Sequence, residues 1–305
     1  MTPTPLAPLA VVQPTVTRSA AATEVPAAVA PTPHTPLALA PTAVAVSVPA
    51  LATSAGSPLA VPAGALRLTG REHSLYAAAS ARGRDAAIFT IAGDSNSEWS
   101  GYLGQIATGV YDLRARPAYA AAAVRFGPSF PRRSVAVAGG LRAADMFVPD
   151  WPDKPSACAP SEGRFTCELR LSRASIVFIQ LGTGDRFAWT EYEGHLRRML
   201  DVALQSGALP VLVTKADDLE SWQGGAPIDH MNTVVRRLAA EYQVPMIDFF
   251  LATRGLPVIP NPQLPDRPFT KNGLLDEWGY YFHLSDLGKE MRILTTLAML
   301  AAIAN

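Results

Sequence analysis

The sequence predicts an α/β domain of three layers, with a five-stranded parallel sheet between two layers of helices. Short apolar runs alternate with longer segments whose apolar residues repeat at helical spacing. The runs are apolar along their length, which is expected when helices cover both faces of a sheet. Strands that alternate with helices form parallel sheets with right-handed crossovers.

The strands are predicted from the apolar runs in chain order. The third run contains Ile-Val-Phe-Ile and is strongly β-prone. The five predicted strands cover residues 86–92, 134–138, 174–181, 209–214 and 244–249.

The helices are predicted from the segments between these strands. Residues 190–206 are amphipathic, and Gly207 ends them as a C-terminal cap. Pro227 opens the next helix. Predicted helices cover residues 99–108, 190–206, 227–242 and 284–303, with a further helical start at Leu141. Sites in such folds form at the carboxyl ends of the strands.

The first 66 residues have a different composition from the rest. They contain twelve prolines and only two charged residues, Arg18 and Glu24. This pattern predicts a disordered Pro/Ala/Thr-rich linker or stalk, and leaves open whether its threonines carry sugars. Residues 67–84 are interpreted as a transition segment, and residues 85–305 as the folded domain.

Charge and hydropathy exclude several kinds of partner and cofactor. The chain has 26 basic and 26 acidic residues, so no nucleic-acid or anionic-membrane partner is predicted. No apolar run is long enough to span a membrane, and no signal peptide is expected at the N-terminus. No nucleotide cofactor is predicted, and the sequence does not indicate an oligomeric state.

Cys158 and Cys167 are the two cysteines of the chain. They fit one local disulfide in an oxidising compartment, and so an extracellular or cell-surface protein. Two free thiols and a cytoplasmic location are the alternative. No metal site is predicted, because two thiols without nearby histidines do not complete a tetrahedral zinc site.

Gly93-Asp94-Ser95 directly follows the first predicted strand. A serine at a turn from strand to helix lies among outward-pointing N–H groups that can stabilise a developing negative charge. Ser95 is therefore the candidate nucleophile. His283, on the segment before the last helix, is the candidate base that takes the hydroxyl proton.

These residues resemble the SGNH, or GDSL-like, hydrolase superfamily over residues 85–303. The resemblance implies a flavodoxin-like sheet and a serine esterase or acyl hydrolase acting on an ester, such as an acetylated carbohydrate or a lipid. Ser95 would be the nucleophile, His283 the general base and then acid, and the N–H groups of Ser95 and Gly140 the oxyanion hole. The matching blocks are Gly93-Asp94-Ser95, Ala138-Gly139-Gly140, Gly182-Thr183-Gly184-Asp185 and Tyr280-Tyr281-Phe282-His283.

Two positions depart from the family pattern. Gly184 stands where the family has an oxyanion-hole asparagine, and Asn96 is the candidate replacement donor. Tyr280 stands where the family has the aspartate that orients the histidine, so the Tyr280 backbone carbonyl or Asp276 would take that role.

The predicted rim of the substrate pocket consists of seven residues near the carboxyl ends of the strands. They are Asp94, Asn96, Gly139, Thr183, Gly184, Asp185 and Lys215.

The two departures from the family pattern leave two functions open. One is an esterase that forms an acyl-enzyme on Ser95, with transfer of the acyl group to a sugar hydroxyl in place of water left open. The other is a weakened or inactive module that binds cell-surface glycan or protein.

Overall fold

The computed structural model describes residues 59–217, 225–256, 284 and 286–304, all within the compact unit Ser57–Asn305. These residues form one sheet of five strands with helices on both faces, as predicted. The strands are β1 (Leu66–Arg67), β2 (Asp85–Gly93), β3 (Ala174–Gln180), β4 (Leu209–Val213) and β5 (Met246–Ile247).

The strands lie in the order β1-β5-β4-β3-β2. Strands β2 to β5 run parallel, with Ile91 opposite Phe178 in the register between β2 and β3. Strand β1 pairs antiparallel with β5, so the sheet is mixed and not parallel throughout as predicted. The carboxyl ends of β2, β3, β4 and β5 therefore lie at one edge of the sheet, where the candidate site residues follow them.

Eight helices are described. They are α1 (Glu72–Ala81), α2 (Leu103–Ala107), α3 (Ala120–Arg125), α4 (Arg164–Ser172), α5 (Trp189–Ser206), α6 (His230–Tyr242), α7 (Phe249–Thr253) and α8 (Asp286–Ala304). Gly207 ends α5 with a φ of 85°, the left-handed geometry of the predicted cap.

Strand β3 shows how the sheet separates two apolar cores. All seven of its residues are buried. Ile176 and Phe178 face a core formed with α1, α2, α3, α7 and α8. Val177 and Ile179 face a second core formed with α4, α5 and α6. Burial on both faces explains the unbroken apolar run in the sequence.

The predicted strand at 134–138 is wrong in its extent. It forms one parallel bridge, between Val137 and Gly93. Other groups take its backbone donors, because the Val135 N–H donates to Glu168 Oε2 (2.9 Å) and the Ala136 N–H to Ser134 Oγ (3.0 Å). Side-chain acceptors compete here with a strand ladder.

The fifth strand comes from an earlier part of the chain. Leu66–Arg67 forms β1, and α1 follows it within the segment 67–84 that the sequence analysis treats as a transition. Glu72 stabilises the start of α1, because its carboxylate accepts from the N–H groups of Thr69 (2.9 Å) and Gly70 (3.2 Å).

The predicted helix at 99–108 is shorter in the structure. A 3₁₀ turn covers Trp99–Gly101, and α2 begins only at Leu103. Tyr102 separates them with φ −137° and ψ −103°, which is outside the helical region.

Cys158 and Cys167 form the predicted disulfide, with a Cα–Cα distance of 5.4 Å. It joins the start of α4 to the loop before it. Within the ranges described, no helix has the length and apolar character needed to cross a bilayer.

Candidate active site

Ser95 lies in a tight turn directly after β2. Residues Ser95–Ser97 form a 3₁₀ turn, and Asp94 precedes it in an extended conformation. Asp94 Oδ1 accepts from the Asn96 N–H (3.0 Å), and the Asp94 carbonyl accepts from the Ser97 N–H (2.8 Å). Asp94 therefore caps the turn through both its side chain and its backbone.

Only glycine fits at position 93. A Cβ on Gly93 would lie 2.1 Å from Ser97 Oγ and 3.0 Å from the Gln180 carbonyl oxygen. The Gly93 N–H donates to the Ala136 carbonyl (3.0 Å) and its carbonyl accepts from the Ala138 N–H (3.4 Å). Gly93 thus lets the turn fold tightly and anchors the neighbouring loop.

Gly139 and Gly140 lie beside the Ser95 turn. A Cβ on Gly139 would be 4.0 Å from Ser95 Cβ and 3.3 Å from Glu98 Oε1. Gly140 has a φ of +73°, a conformation that favours glycine. Within the described part of the chain, the Gly140 N–H donates to no protein acceptor. The structure therefore brings two of the predicted sequence blocks together.

Gly184, where the resemblance predicts an asparagine, leaves little room for a side chain. A Cβ at this position would lie 3.0 Å from the carbonyl oxygens of both Gly140 and Leu141, and 2.9 Å from Arg142 Cγ. The backbone of the Gly140 loop occupies the space that a side chain at 184 would need. The loop and the turn after β3 are in direct contact as a result.

The Asp185 carboxylate anchors the loop that begins at Gly139 through hydrogen bonds to its backbone. This carboxylate is almost fully buried and accepts from the Ala143 N–H at 3.0 and 3.1 Å. Burial raises the pKa of Asp185 to about 6, against the lowering effect of the Ala143 hydrogen bond. Thr183 precedes it as the N-cap of the 3₁₀ turn Gly184–Phe187.

Buried charges lie beneath the Ser95 turn. Asp94 is 4% exposed, and burial raises its pKa while the charges of Arg292 and Lys215 oppose that effect. Lys215 Nζ lies 3.0 Å from Asp217 Oδ1, and both side chains are buried. Asn232 links the two by accepting from the Lys215 N–H and donating to the Asp217 carbonyl.

Sequence reasoning missed Arg292. This arginine lies in α8, and its Nη2 donates to Ser97 Oγ (2.8 Å). Its guanidinium lies 4.6 Å from the centre of the Tyr102 ring. Its Nε and Nη1 are buried and find no acceptor among the described residues. An arginine inside the apolar run Met291-Arg292-Ile293-Leu294 was the available signal for a buried cation.

The predicted rim residues divide into two groups. Asp94, Asp185 and Lys215 are buried beneath the turns rather than exposed around them. Gly139 is exposed, and Asn96, Thr183 and Gly184 are half-buried. His283, Tyr280 and Asp276 lie outside the described residues.

Leu284, the residue after His283, contacts the Ser95 turn. Its N–H donates to Asn96 Oδ1 at 3.1 Å. This contact joins residues 188 positions apart in sequence. It holds the start of the last helical segment against the turn after β2.

The fold and these contacts define a class of protein, an α/β protein with a serine turn and a glycine loop at the carboxyl edge of its sheet. A profile of the GDSL-like lipase/acylhydrolase family matches residues 91–291. The chain belongs to that family. No curated protein sequence matches the chain.

Solved structures similar to the chain share little sequence with it. An acetyl xylan esterase is 16% identical, over 70% of this chain and 98% of its own, with a TM-score of 0.43. A variant acetyl-xylooligosaccharide esterase from Geobacillus is 14% identical, covers 70% of this chain and 93% of its own, and has a TM-score of 0.44. A GDSL-like lipase from Bacteroides thetaiotaomicron is 14% identical, covers 76% of this chain and 98% of its own, and has a TM-score of 0.38.

Proposed function

We propose that the protein is a serine esterase whose acyl-enzyme forms on Ser95. The observation that carries the proposal is the meeting of the Ser95 turn with the Gly139–Gly140 loop. A nucleophile and a donor for the developing oxyanion must lie on either side of one carbonyl carbon. Family membership supports ester hydrolysis as the reaction class.

His283 is proposed as the base that takes the Ser95 proton during attack and returns it to the leaving alcohol. The hydrogen bond from the Leu284 N–H to Asn96 supports this pairing, because His283 is the residue before Leu284. The Tyr280 carbonyl or Asp276 is proposed to orient the imidazole. Water then attacks the acyl-enzyme, with His283 acting again as the base.

The N–H groups of Ser95 and Gly140 are proposed to form the oxyanion hole. The Gly140 N–H is available for this role, since no described residue accepts from it. Loss of one oxyanion donor costs about 2.7–4 kcal/mol of transition-state stabilisation. With glycine at 184, we expect a slower esterase than one that has the asparagine. The proposed substrates are small esters, such as an acetylated carbohydrate or a lipid.

A probe experiment tests the nucleophile. A fluorophosphonate should label the wild-type protein, and short-chain p-nitrophenyl esters should be hydrolysed. Ser95→Ala and His283→Ala should each lower kcat by about 10⁴-fold or more, as expected when a nucleophile or its base is lost.

Two matched variants control for the loss of a hydroxyl or an imidazole. Ser161→Ala and His73→Ala change exposed residues away from the site and should keep wild-type rates. Equal hydrolysis by wild type and Ser95→Ala would refute the proposal. So would the absence of both labelling and turnover in the wild type.

Gly184 also favours a second candidate function. A turn that has lost its asparagine fits a module that binds glycan or protein without catalysis. This alternative predicts a folded protein that hydrolyses no ester and retains ligand binding in Ser95→Ala.

We propose that the protein works in an oxidising compartment, at or outside the cell surface. The Cys158–Cys167 disulfide supports this location. The chain before residue 59 is proposed to act as a linker to the catalytic domain, since Leu66, at the end of the predicted linker, forms β1. Analysis of the protein from its native cells under non-reducing conditions tests the disulfide, and two free thiols would refute the location.

A further inference from the structure

A cavity of about 320 Å³ lies next to the Ser95 turn. We call it the Arg132 cavity. It is enclosed by β2, the segment after Ser95 and the segment 129–138, and its wall includes Thr90, Glu98, Trp99, Arg132, Arg133 and Ala138. Its volume is at the lower end of the range for small-molecule sites, about 300–1,000 Å³. It can therefore hold one small substituent of a substrate.

The cavity is adjacent to the candidate nucleophile. Glu98 lines it, and Glu98 Oε1 lies 3.3 Å from the position of a Cβ on Gly139. That position is 4.0 Å from Ser95 Cβ. Ala138, the residue before Gly139, also lines the cavity. A substrate with its ester carbonyl at Ser95 would have one end within reach of this space.

Arg133 supplies an uncompensated charge to the wall. Its side chain is exposed, and its guanidinium lies 4.6 Å from the centre of the Trp99 ring. In the described part of the chain, no carboxylate forms an ion pair with it. The Trp99 Nε1–H donates to the Phe130 carbonyl (2.8 Å), which fixes the ring against which Arg133 rests.

Arg132 is only partly compensated. Its Nη2 lies 3.6 Å from Glu168 Oε1, which is long for an ion pair. Glu168 already accepts from Thr90 Oγ1 (2.6 Å) and the Val135 N–H (2.9 Å). Arg132 Nε is buried and has no acceptor among the described residues. The wall thus carries two guanidinium groups and one carboxylate, that of Glu98.

We propose that the Arg132 cavity binds a carboxylate group of the substrate, so that the esterase prefers esters of monoanions. The inference rests on the proposed function. Guanidinium groups match the planar geometry of a carboxylate. Since Arg132 lies 3.6 Å from the buried Glu168 carboxylate, Arg133 is the guanidinium left to bind a substrate, which suits a single negative charge better than a dianionic phosphate. The preferred ester would carry its carboxylate on either the acyl or the alcohol part.

The test compares matched charged and neutral esters. Mono-p-nitrophenyl glutarate against p-nitrophenyl valerate places the charge on the acyl part. 4-Acetoxybenzoate against phenyl acetate places it on the alcohol part. Each kcat/KM is divided by the second-order rate constant for hydrolysis of the same ester by hydroxide, which leaves out attack of the glutarate carboxylate on its own ester. We expect a preference of about tenfold for the charged ester in one of the two pairs, the usual scale of one charge-assisted contact.

Variants assign the preference to the cavity. Arg133→Gln should lower the ratio of charged to neutral kcat/KM about tenfold, and Arg133→Lys should restore part of it. Glu98→Gln should raise the same ratio, because it removes the negative charge of the wall. Arg114→Gln is the matched control, since Arg114 is 92% exposed, is paired with Asp112 and should leave the ratio unchanged.

The outcomes separate this inference from the proposed function. Hydrolysis of neutral and charged esters at equal normalised rates would overturn the carboxylate site and leave the esterase intact. If the wild type hydrolyses no ester, calorimetry with 4-acetoxybenzoate decides. Binding that Arg133→Gln weakens about tenfold would support the site without the esterase, and no binding would overturn it.

Discussion

The turns after β2 and β3 occupy equivalent places at the ends of adjacent parallel strands, yet they are built differently. After β2, side chains determine the geometry, because Asp94 caps the Ser95 turn and Arg292 holds Ser97. After β3, backbone determines it, because Gly184 packs directly against the carbonyl groups of Gly140 and Leu141. A motif residue can therefore be absent because a neighbouring loop fills its space.

The largest effect is expected at Gly93. Gly93→Ala would place a Cβ 2.1 Å from Ser97 Oγ, while Arg292 holds that hydroxyl in place. We expect a loss of about 3 kcal/mol in the free energy of unfolding, measured by urea denaturation. Esterase activity should fall with it, because the displaced turn carries Ser95.

A glycine on α5 provides the control. Gly194→Ala meets no atom within 4 Å and should stabilise the helix by about 0.5–1 kcal/mol. If both substitutions had the same small effect, the Ser95 turn would not be fixed by its side chains.

Asp185 makes the turn after β3 sensitive to pH. Its pKa is about 6 in the folded protein against the usual 3.8. Between these values the folded state holds the proton more tightly than the unfolded state. The carboxyl therefore favours unfolding increasingly as pH rises through this window. Arg142 and Asp145 lie nearby and act in opposite directions on this pKa.

Asp185→Asn should remove this dependence. The variant can still accept from the Ala143 N–H, so its stability relative to wild type should rise between about pH 4 and pH 6. One pKa unit is worth about 1.4 kcal/mol, which makes the relative gain at most about 3 kcal/mol. Urea denaturation across this range measures it, with Asp201→Asn on the exposed surface of α5 as the control. A pH-independent difference would show that the pKa of Asp185 is the same in the folded and unfolded states.

Much of the fold follows from local sequence. The apolar runs predict β2 to β5, and the helix ended by Gly207 is at its predicted position. The run at 134–138 is predicted as a strand, but its backbone N–H groups donate to Ser134 and Glu168 instead of to a neighbouring strand. Glu168 is distant in sequence, so this competition cannot be read from the run itself. Strand β1 is not predicted because no apolar run of the predicted set covers Leu66–Arg67, whereas β5, also of two residues, lies within the run at 244–249.

The site is less predictable than the fold. The blocks at Ser95 and Gly140 contain glycines that local geometry favours, Gly93 for its close contacts and Gly140 for its positive φ. The burial of Asp185 depends on the loop that starts at Gly139, more than forty positions earlier in the chain. The role of Arg292 likewise depends on α8 packing against the Ser95 turn. Such contacts between distant segments leave little trace in a single sequence.

Restoring the family asparagine tests the turn after β3. Gly184→Asn would bring a Cβ within 3.0 Å of two backbone carbonyl oxygens. We expect a loss of about 1–3 kcal/mol in the free energy of unfolding and a lower kcat, because the Gly140 loop must move. Gly127→Asn, in a 3₁₀ turn with no atom within 4 Å, controls for the asparagine itself. A tenfold rise in kcat at unchanged stability would show that the Gly140 loop can move to admit the asparagine without a cost in stability.

The smallest effect is expected at Asn96, the contact between the Ser95 turn and the last helical segment. Asn96→Ala removes the acceptor of the Leu284 N–H and should cost about 1 kcal/mol in the free energy of unfolding. If His283 is the base, or if Asn96 is the replacement oxyanion donor, kcat should fall by more than this loss of stability implies. Gln105→Ala is the control, because its amide makes only a 3.5 Å contact with the Gly101 carbonyl. An unchanged kcat would show that the pairing of nucleophile and base does not depend on this contact, and that the turn after β2 positions Ser95 alone.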